Sequence, residues 1–473
     1  VKEDVPYTGL LINIRVDQYT GEVVSYGGMN PGFEMPEFPG QKGIIGVDGA
    51  LLAFLAEIGI EMNYHSTYDY RTKSLNVFPA YRVKENNTGI DAKTGKPIPI
   101  SYGYGPIYYG YDGYGGEAAA KDEMANSGLT REELEAVEKL GKLLSKETAT
   151  KKLKENAPVI PATATIQSAS LRQDMIDQDK YIWEISLTDG YGSIDARTGE
   201  ILSFGYYGDP GRGNRRIDRE GAKRIAEDLL IKAAGEKYSQ SIYEHREEEM
   251  NILDATKEEP TEYYFRYDRQ ANGIRFLNNG FNVTVSRATG MVTHYSRTWY
   301  DQVAFPSVDQ AISPEEMIRI MKETGQFDLR YEPIEDGKQA GLLYSFAQSM
   351  NNALFDPFTG QRINWDGKPY VDQKIPEYKD IKGHWSEKII LALRENGYYL
   401  ANETFQPDSN IRQIDFFRFL YSRQGYVDEE DLYRMLIGSG ILDEEEKTPD
   451  LQLNRYDRSE EHTSELQSHS DLV

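Results

Sequence analysis

The chain has 473 residues, 39% of them hydrophobic, a formal charge of -24 and no cysteine; its mean hydropathy is -0.63. That length implies roughly two to four domains, and the charge argues against nucleic acid and anionic membranes as partners. Without cysteine there is no disulfide, thiolate nucleophile or Cys-ligated metal, and the longest apolar stretch, 44–60, contains Asp48 and Glu57 and is too short to span a bilayer.

The chain opens on Val1 rather than Met, which reads as a cut N-terminus, so the lack of a signal peptide carries no weight. Residues 5–26 predict a hairpin. Residues 49–57 read as a short apolar helix ended by Gly59, and 68–83 as strands. The run 101–116 holds six Tyr and reads as an irregular linker in preference to a sugar-stacking platform. Thr130-x-x-Glu133 is a capping box, followed at helical spacing by Leu134, Val137, Leu140 and Leu144. A second helix is expected over 146–154, then strands through Tyr181 and Trp183. Residues 218–234 predict an amphipathic helix, with Ala222, Ile225, Ala226 and Leu229 inward. Strands at 263–267 and 274–276 precede a hairpin at 281–296, in which Phe281, Val283 and Val285 alternate with polar residues. Ser313-Pro314-Glu315-Glu316 caps a helix running to Thr324.

One turn recurs: Asp17-x-x-Thr20-Gly21, Asp91-x-x-Thr94-Gly95, Asp195-x-x-Thr198-Gly199, Ser286-x-x-Thr289-Gly290 and Asp356-x-x-Thr359-Gly360. The first residue caps the turn through its own oxygen, and the glycine takes the left-handed position of a type I turn with a G1 bulge. That role accounts for both Asp and Gly, so these aspartates are read as turn builders rather than paired catalytic carboxylates or metal ligands. The turns also expose a long repeat. Phe38-Pro39 recurs as Phe305-Pro306 and Tyr64 as Tyr331, each 267 residues on, and the Gly21 and Gly95 turns recur at Gly290 and Gly360. Two copies of one module follow, the first without its front part.

The stretch 272–299 resembles the core of the YcdB/YcdC repeat family of Gram-positive bacteria, and 194–204 resembles the strand-turn-strand of the related PepSY-type units. The resemblance spans roughly 1–370. It implies an α+β fold: two PepSY-like modules, 1–112 and 113–372, with helices packed on antiparallel sheets. PepSY-type units also occur in peptidase propeptides and are proposed to restrain peptidases. The pattern carries no catalytic residues.

Residues 378–422 resemble an S-layer homology repeat through Asp380, His384-Trp385, a helix at 387–395, Gly397, Phe405-x-Pro407 and a helix from Asp415. Residues 425–457 resemble a second, shortened repeat with a helix at 429–437. The resemblance implies an all-α region, with repeats at 376–424 and 425–457, that binds secondary cell-wall polysaccharide. In the family a Thr-Arg-Ala-Glu stretch opens a helix and its Arg helps to hold the saccharide, a role suited to fixed charge and a planar donor fork. Here the equivalent stretches are Arg412-Gln413-Ile414-Asp415, with Gln413 where Arg is expected, and Asn454-Arg455-Tyr456-Asp457, which keeps the Arg. Trp385, Arg412, Gln413 and Arg455 are therefore the candidate polysaccharide-binding residues, with core packing as the alternative for Trp385. Residues 458–473 read like a translated sequencing-library adapter and are set aside, with His462 and His469.

Of the other histidines, His65, His245, His294 and His384, none has zinc-ligand spacing, and no phosphate-cradling loop or nucleophile elbow is present. No cofactor or metal is expected. The expectation is a non-catalytic, secreted cell-surface protein held to wall polysaccharide with its PepSY-like modules outward. The alternatives are a regulator of an extracellular peptidase and, more distantly, a wall-active hydrolase using unrecognised carboxylates.

Overall fold

The computed structural model describes residues 4–9, 13–16, 22–27, 35–69, 74–84, 87–101, 143–208, 217–244, 261–370, 375–422 and 428–453, apart from single positions within them. The chain divides into two compact units, one formed by 1–11 with 30–369 and the other by 12–29 with 370–473. The architecture is α+β. The capping box at Thr130, the Tyr-rich run beyond residue 101 and the turn itself at Asp17 and Gly21 lie outside the described residues.

In the first unit, helix α1 (Val47–Glu57) is followed by β3 (Ile60–Asp69), β4 (Ser74–Val83), β5 (Thr88–Asp91) and β6 (Pro97–Pro99). The antiparallel hairpin β1 (Asn13–Val16) with β2 (Val23–Gly27) precedes them in sequence but belongs to the second unit. Helix α2 (Lys146–Asn156) leads to β7 (Ile166–Gln173), β8 (Tyr181–Leu187), β9 (Gly190–Asp195) and β10 (Ile201–Tyr206). Helix α3 (Arg219–Ala234) leads to β11 (Ser241–Tyr243), β12 (Glu262–Ala271), β13 (Ile274–Ser286) and β14 (Val292–Thr298). Helix α4 (Pro314–Gly325) leads to β15 (Asp328–Ile334), β16 (Gln339–Ser345), β17 (Leu354–Phe355) and β18 (Arg362–Ile363). Helix starts follow their caps: Ser145 accepts from the Thr148 amide, Asp218 from Gly221 and Ser313 from Glu316. Helix α3 buries Ala222, Ala226 and Leu230, while Ile225 and Leu229 are only partly buried.

The sequence thus builds one unit four times: a helix, antiparallel strands, then a turn with Thr-Gly at its end. Each turn glycine leans towards its own unit's helix. A β-carbon on Gly199 would lie 2.8 Å from Lys152 of α2, on Gly290 2.3 Å from Ile217 just ahead of α3, and on Gly360 2.7 Å from Ile320 of α4. Gly95 faces Ile45, two residues ahead of α1, at 3.8 Å.

Two main hydrophobic cores result. The first lies between α2, α3 and the sheet β7–β14, around Leu153, Trp183, Phe204, Ala226, Phe265, Phe281 and Tyr295. The second joins α1 to α4 and draws on both ends of the chain: Phe54, Tyr81 and Ile90 pack with Met317, Phe327, Tyr331, Tyr344 and Phe355. The expected boundary at 112/113 therefore cuts through a core. The duplication is realised as reciprocal contacts between copies. The Tyr64 hydroxyl donates to the Pro306 carbonyl, and the Tyr331 hydroxyl to the Pro39 carbonyl at 2.8 Å. Phe305 packs on Tyr64 at 5.0 Å between ring centres, and Phe38 on Tyr331 at 4.9 Å. The Tyr81 hydroxyl reaches the Ile312 carbonyl and the Tyr344 hydroxyl the Ile45 carbonyl, at 2.9 and 2.7 Å. Likewise β17 pairs with β4, and β5 with β16. Among the described residues the strands pair antiparallel except at two joints of the same kind: β13 runs parallel to β3 at Phe276 and Tyr64, and Tyr7 bridges parallel to Tyr331.

In the second unit, α5 (Glu387–Glu395), α6 (Gln413–Tyr421) and α7 (Glu429–Gly438) are the main elements. Phe417, Leu432, Tyr433, Leu436 and Leu453 form a core about α6 and α7. The region is not wholly helical as expected: β19 (Ile411–Arg412) pairs with β20 (Gln452–Leu453), tying the start of α6 to the chain beyond α7.

Candidate functional site

The four described repeats of the turn share one hydrogen-bond pattern. Asp91 Oδ1 accepts from the Lys93 and Thr94 amides at 3.1 and 2.7 Å, Asp195 Oδ1 from Arg197 and Thr198 at 2.9 and 2.8 Å, and Asp356 Oδ1 from Phe358 and Thr359 at 3.0 and 2.7 Å. Ser286 Oγ accepts from Thr289 at 3.4 Å. In each turn the Thr hydroxyl accepts from the amide two residues on: Lys96, Glu200, Met291 and Gln361. Gly95, Gly199, Gly290 and Gly360 all have φ between 70° and 74°, the left-handed region that a side chain strains. Among the described residues no group of three or more His, Asp or Glu could hold a metal ion.

The candidate polysaccharide residues separate. Trp385 is 80% exposed, just ahead of α5, and its ring lies tilted against His384, 5.5 Å between ring centres. His384 is fixed by Ser386 Oγ at 2.7 Å and Asp408 at 3.1 Å. Asp380 accepts from the Phe405 and Gln406 amides at 2.8 and 2.7 Å, so the loop carrying His384 is clamped to the loop carrying Asp408. A tryptophan held open on a braced loop has an apolar face and an N–H to offer a ligand. Core packing, the alternative, does not occur. Gln413 is the opposite case. It is 2% exposed, its side chain donates to the Glu446 carbonyl and accepts from the Tyr433 hydroxyl and the Thr448 amide. It closes the α6–α7 core and presents nothing to solvent. Arg412 is exposed but neutralised, bonded to Asp415 at 2.7 Å and Asp450 at 3.2 Å, which raises its pKa above the usual value. Arg455 lies outside the described residues.

A second cluster escaped the sequence reading. Glu61 and His65 share one face of β3, with Asn63 between them. Glu61 accepts from Arg82 at 2.6 Å and from Arg275 at 2.7 Å across the β3–β13 joint. Arg275 also meets Glu244 at 2.8 Å, and Arg266 bonds Asp268 at 2.9 Å. Burial pushes Glu61 up, but the two guanidiniums outweigh it and hold the carboxyl below its ordinary value. Burial raises Asp268 despite Arg266. His65, packed between Phe78 and Trp365, is driven by burial, and next by Arg82, down to about 3. Its members lie up to 214 residues apart, so no local motif announces them. The one signal was a polar residue at every second position, 61, 63 and 65, of a strand whose other face is apolar. Each carboxylate meets an arginine within 4 Å, so the cluster braces the joint between copies rather than offering an acid–base pair.

Among curated proteins none matches the chain. A solved structure, the Bacillus megaterium YpeB C-terminal domain, is similar at 16% identity and a TM-score of 0.29, over 47% of this chain and 97% of that one. Residues 169–299, from within β7 to Trp299, match the family model of the YcdB, YcdC repeated domain, and the chain is similar to that family over this stretch.

Proposed function

We propose that the protein is a non-catalytic, exported surface protein whose 376–457 region binds secondary cell-wall polysaccharide and whose YcdB/YcdC-like part is presented for binding. The observation that carries this reading is Trp385, 80% exposed on a loop braced by His384, Asp380 and Asp408. In a region whose sequence resembles S-layer homology repeats, an indole held open on a braced loop supports a stacking role against a sugar ring. Of the candidates, Trp385 is kept as a stacking residue, Arg412 contributes only if the ligand displaces Asp415 or Asp450, and Gln413 is withdrawn to a structural role. Sedimentation with purified walls tests this. The chain should pellet with intact walls and stay in solution once the polysaccharide is stripped. Trp385→Ala should lower retention at least fivefold with an unchanged melting temperature, since an exposed side chain contributes little to stability. Retention by stripped walls would overturn the reading.

A second reading, a regulator of an extracellular peptidase, draws on the family match at 169–299 and the fourfold helix-and-hairpin build. Co-purification with a peptidase whose activity falls on binding would favour it over simple display.

A further inference from the structure

The two parallel joints are equivalent by the internal duplication, yet they are held very differently. At β3 the incoming segment is the start of β13, a 13-residue strand laddered along β12 and β14 for most of its length. At β15 the incoming segment is residues 5–8. Among the described residues its backbone bonds go to one residue: the Tyr331 amide donates to the Pro6 carbonyl at 2.9 Å, and the Thr8 amide to the Tyr331 carbonyl at 3.1 Å. Side chains supply the remainder. Val5 is 8% exposed and enters the core shared by α1 and α4. Tyr7 sets its ring edge-on to Phe38, 5.2 Å between centres. The Thr8 hydroxyl donates to Glu332, which is 1% exposed and also accepts from Ser345 at 2.7 Å.

These are the parts of a strand-addition site: an open backbone edge that gives affinity, and side-chain positions that give selectivity. The edge is that of β15 at Tyr331. One position takes a branched aliphatic residue. The next takes an aromatic ring against Phe38. The third demands a hydroxyl, because Glu332 would otherwise keep a buried oxygen without its donor. We propose that the β15 edge accepts an extended segment of a partner polypeptide with the pattern branched aliphatic, any residue, aromatic, Ser or Thr, and that residues 5–8 are its resident, exchangeable occupant. Tethering gives the resident segment an effective concentration on the order of millimolar, so a partner strand must bind well to displace it. The site is separate from Trp385 and does not depend on wall attachment.

The probe is a labelled nonapeptide with the sequence of residues 3–11. The full-length chain should bind it weakly. Val5→Asp in the full-length chain expels the resident residue from the core, and the peptide should then bind at least tenfold more tightly. A peptide with Val in place of the Thr should lose at least tenfold, and a scrambled peptide should not bind. A cooperatively melting V5D chain that binds no peptide, or equal binding by both chains or both peptides, would overturn the proposal. If V5D does not fold, hydrogen exchange on the unaltered chain decides. The Tyr331 amide should exchange at least tenfold faster than the amides of β16; exchange as slow as theirs makes residues 5–8 a fixed part of the core and ends the proposal.

Discussion

His65 shows what a single buried side chain does to the response of the whole fold. Its ring is 5% exposed, stacked on Phe78 at 5.9 Å, with no bonded partner for Nε2. In the folded chain it titrates at about 3, against about 6.5 unfolded. Between those values the unfolded chain holds one more proton than the folded one, so this contribution to stability is full above pH 6.5 and falls as pH drops. By pH 5 the loss from this residue is about 2 kcal/mol. Asp268 and Glu332 act in the opposite sense, since burial raises both and their contributions shrink as pH rises through the carboxylate range. His65→Phe keeps an aromatic ring beside Phe78 and removes the titration. Urea unfolding at pH 7 and pH 5 should show the gap between the two conditions about 2 kcal/mol smaller in the variant; an unchanged gap would place the acid sensitivity elsewhere.

At the scale of elements, the turn is the unit that joins a hairpin to its helix. Gly95 and Gly290 share the same backbone angle, but a side chain at Gly95 meets only Ile45 at 3.8 Å, whereas at Gly290 it meets Ile217 at 2.3 Å. Gly95→Ala should therefore cost only the left-handed strain, about 1 kcal/mol. Gly290→Ala adds a clash with the terminal methyl of Ile217, which must turn away within the packing ahead of α3, for a total of about 2 kcal/mol. Equal losses by thermal or chemical unfolding would show that the turn and the helix are not coupled. The turn aspartates each spend Oδ1 on the backbone amides of their own turn, and this turn-building role accounts for their number and spacing.

For the whole molecule, the consequence of the duplication is exchange. Each copy lends its last strands and its tyrosine hydroxyls to the other: β17 lies on β4, β5 on β16, Tyr64 on Pro306 and Tyr331 on Pro39. Apolar burial between α1 and α4, through Phe54, Met317, Met321 and Phe327, is the main stabilising term of that arrangement. Co-expressed as 1–112 and 113–473, the two pieces should therefore copurify at one to one and part only in denaturant. Independent modules would elute separately, and that result would restore the boundary drawn from the sequence.

The sequence by itself determined the helices around 146–154, 218–234 and 314–324 and the repeated turns, because periodicity, the Ser313 cap and glycine conformation are decided within a few residues; the α+β class followed from the family resemblance. It also carried a family resemblance expected over roughly 1–370, of which 169–299 matches the family model. What it left open was decided by contacts between residues far apart in the chain. Composition could not say whether Trp385 or Gln413 faced water; the packing of α6 on α7 put the amide inside, and the loop clamp at Asp380 left the indole outside. The charge cluster at Glu61 and Arg275, the crossing of strands between copies and the seating of residues 5–8 on β15 likewise have no local code. They follow from which edges and faces remain to be covered once the local elements have formed, and only the folded chain answers that.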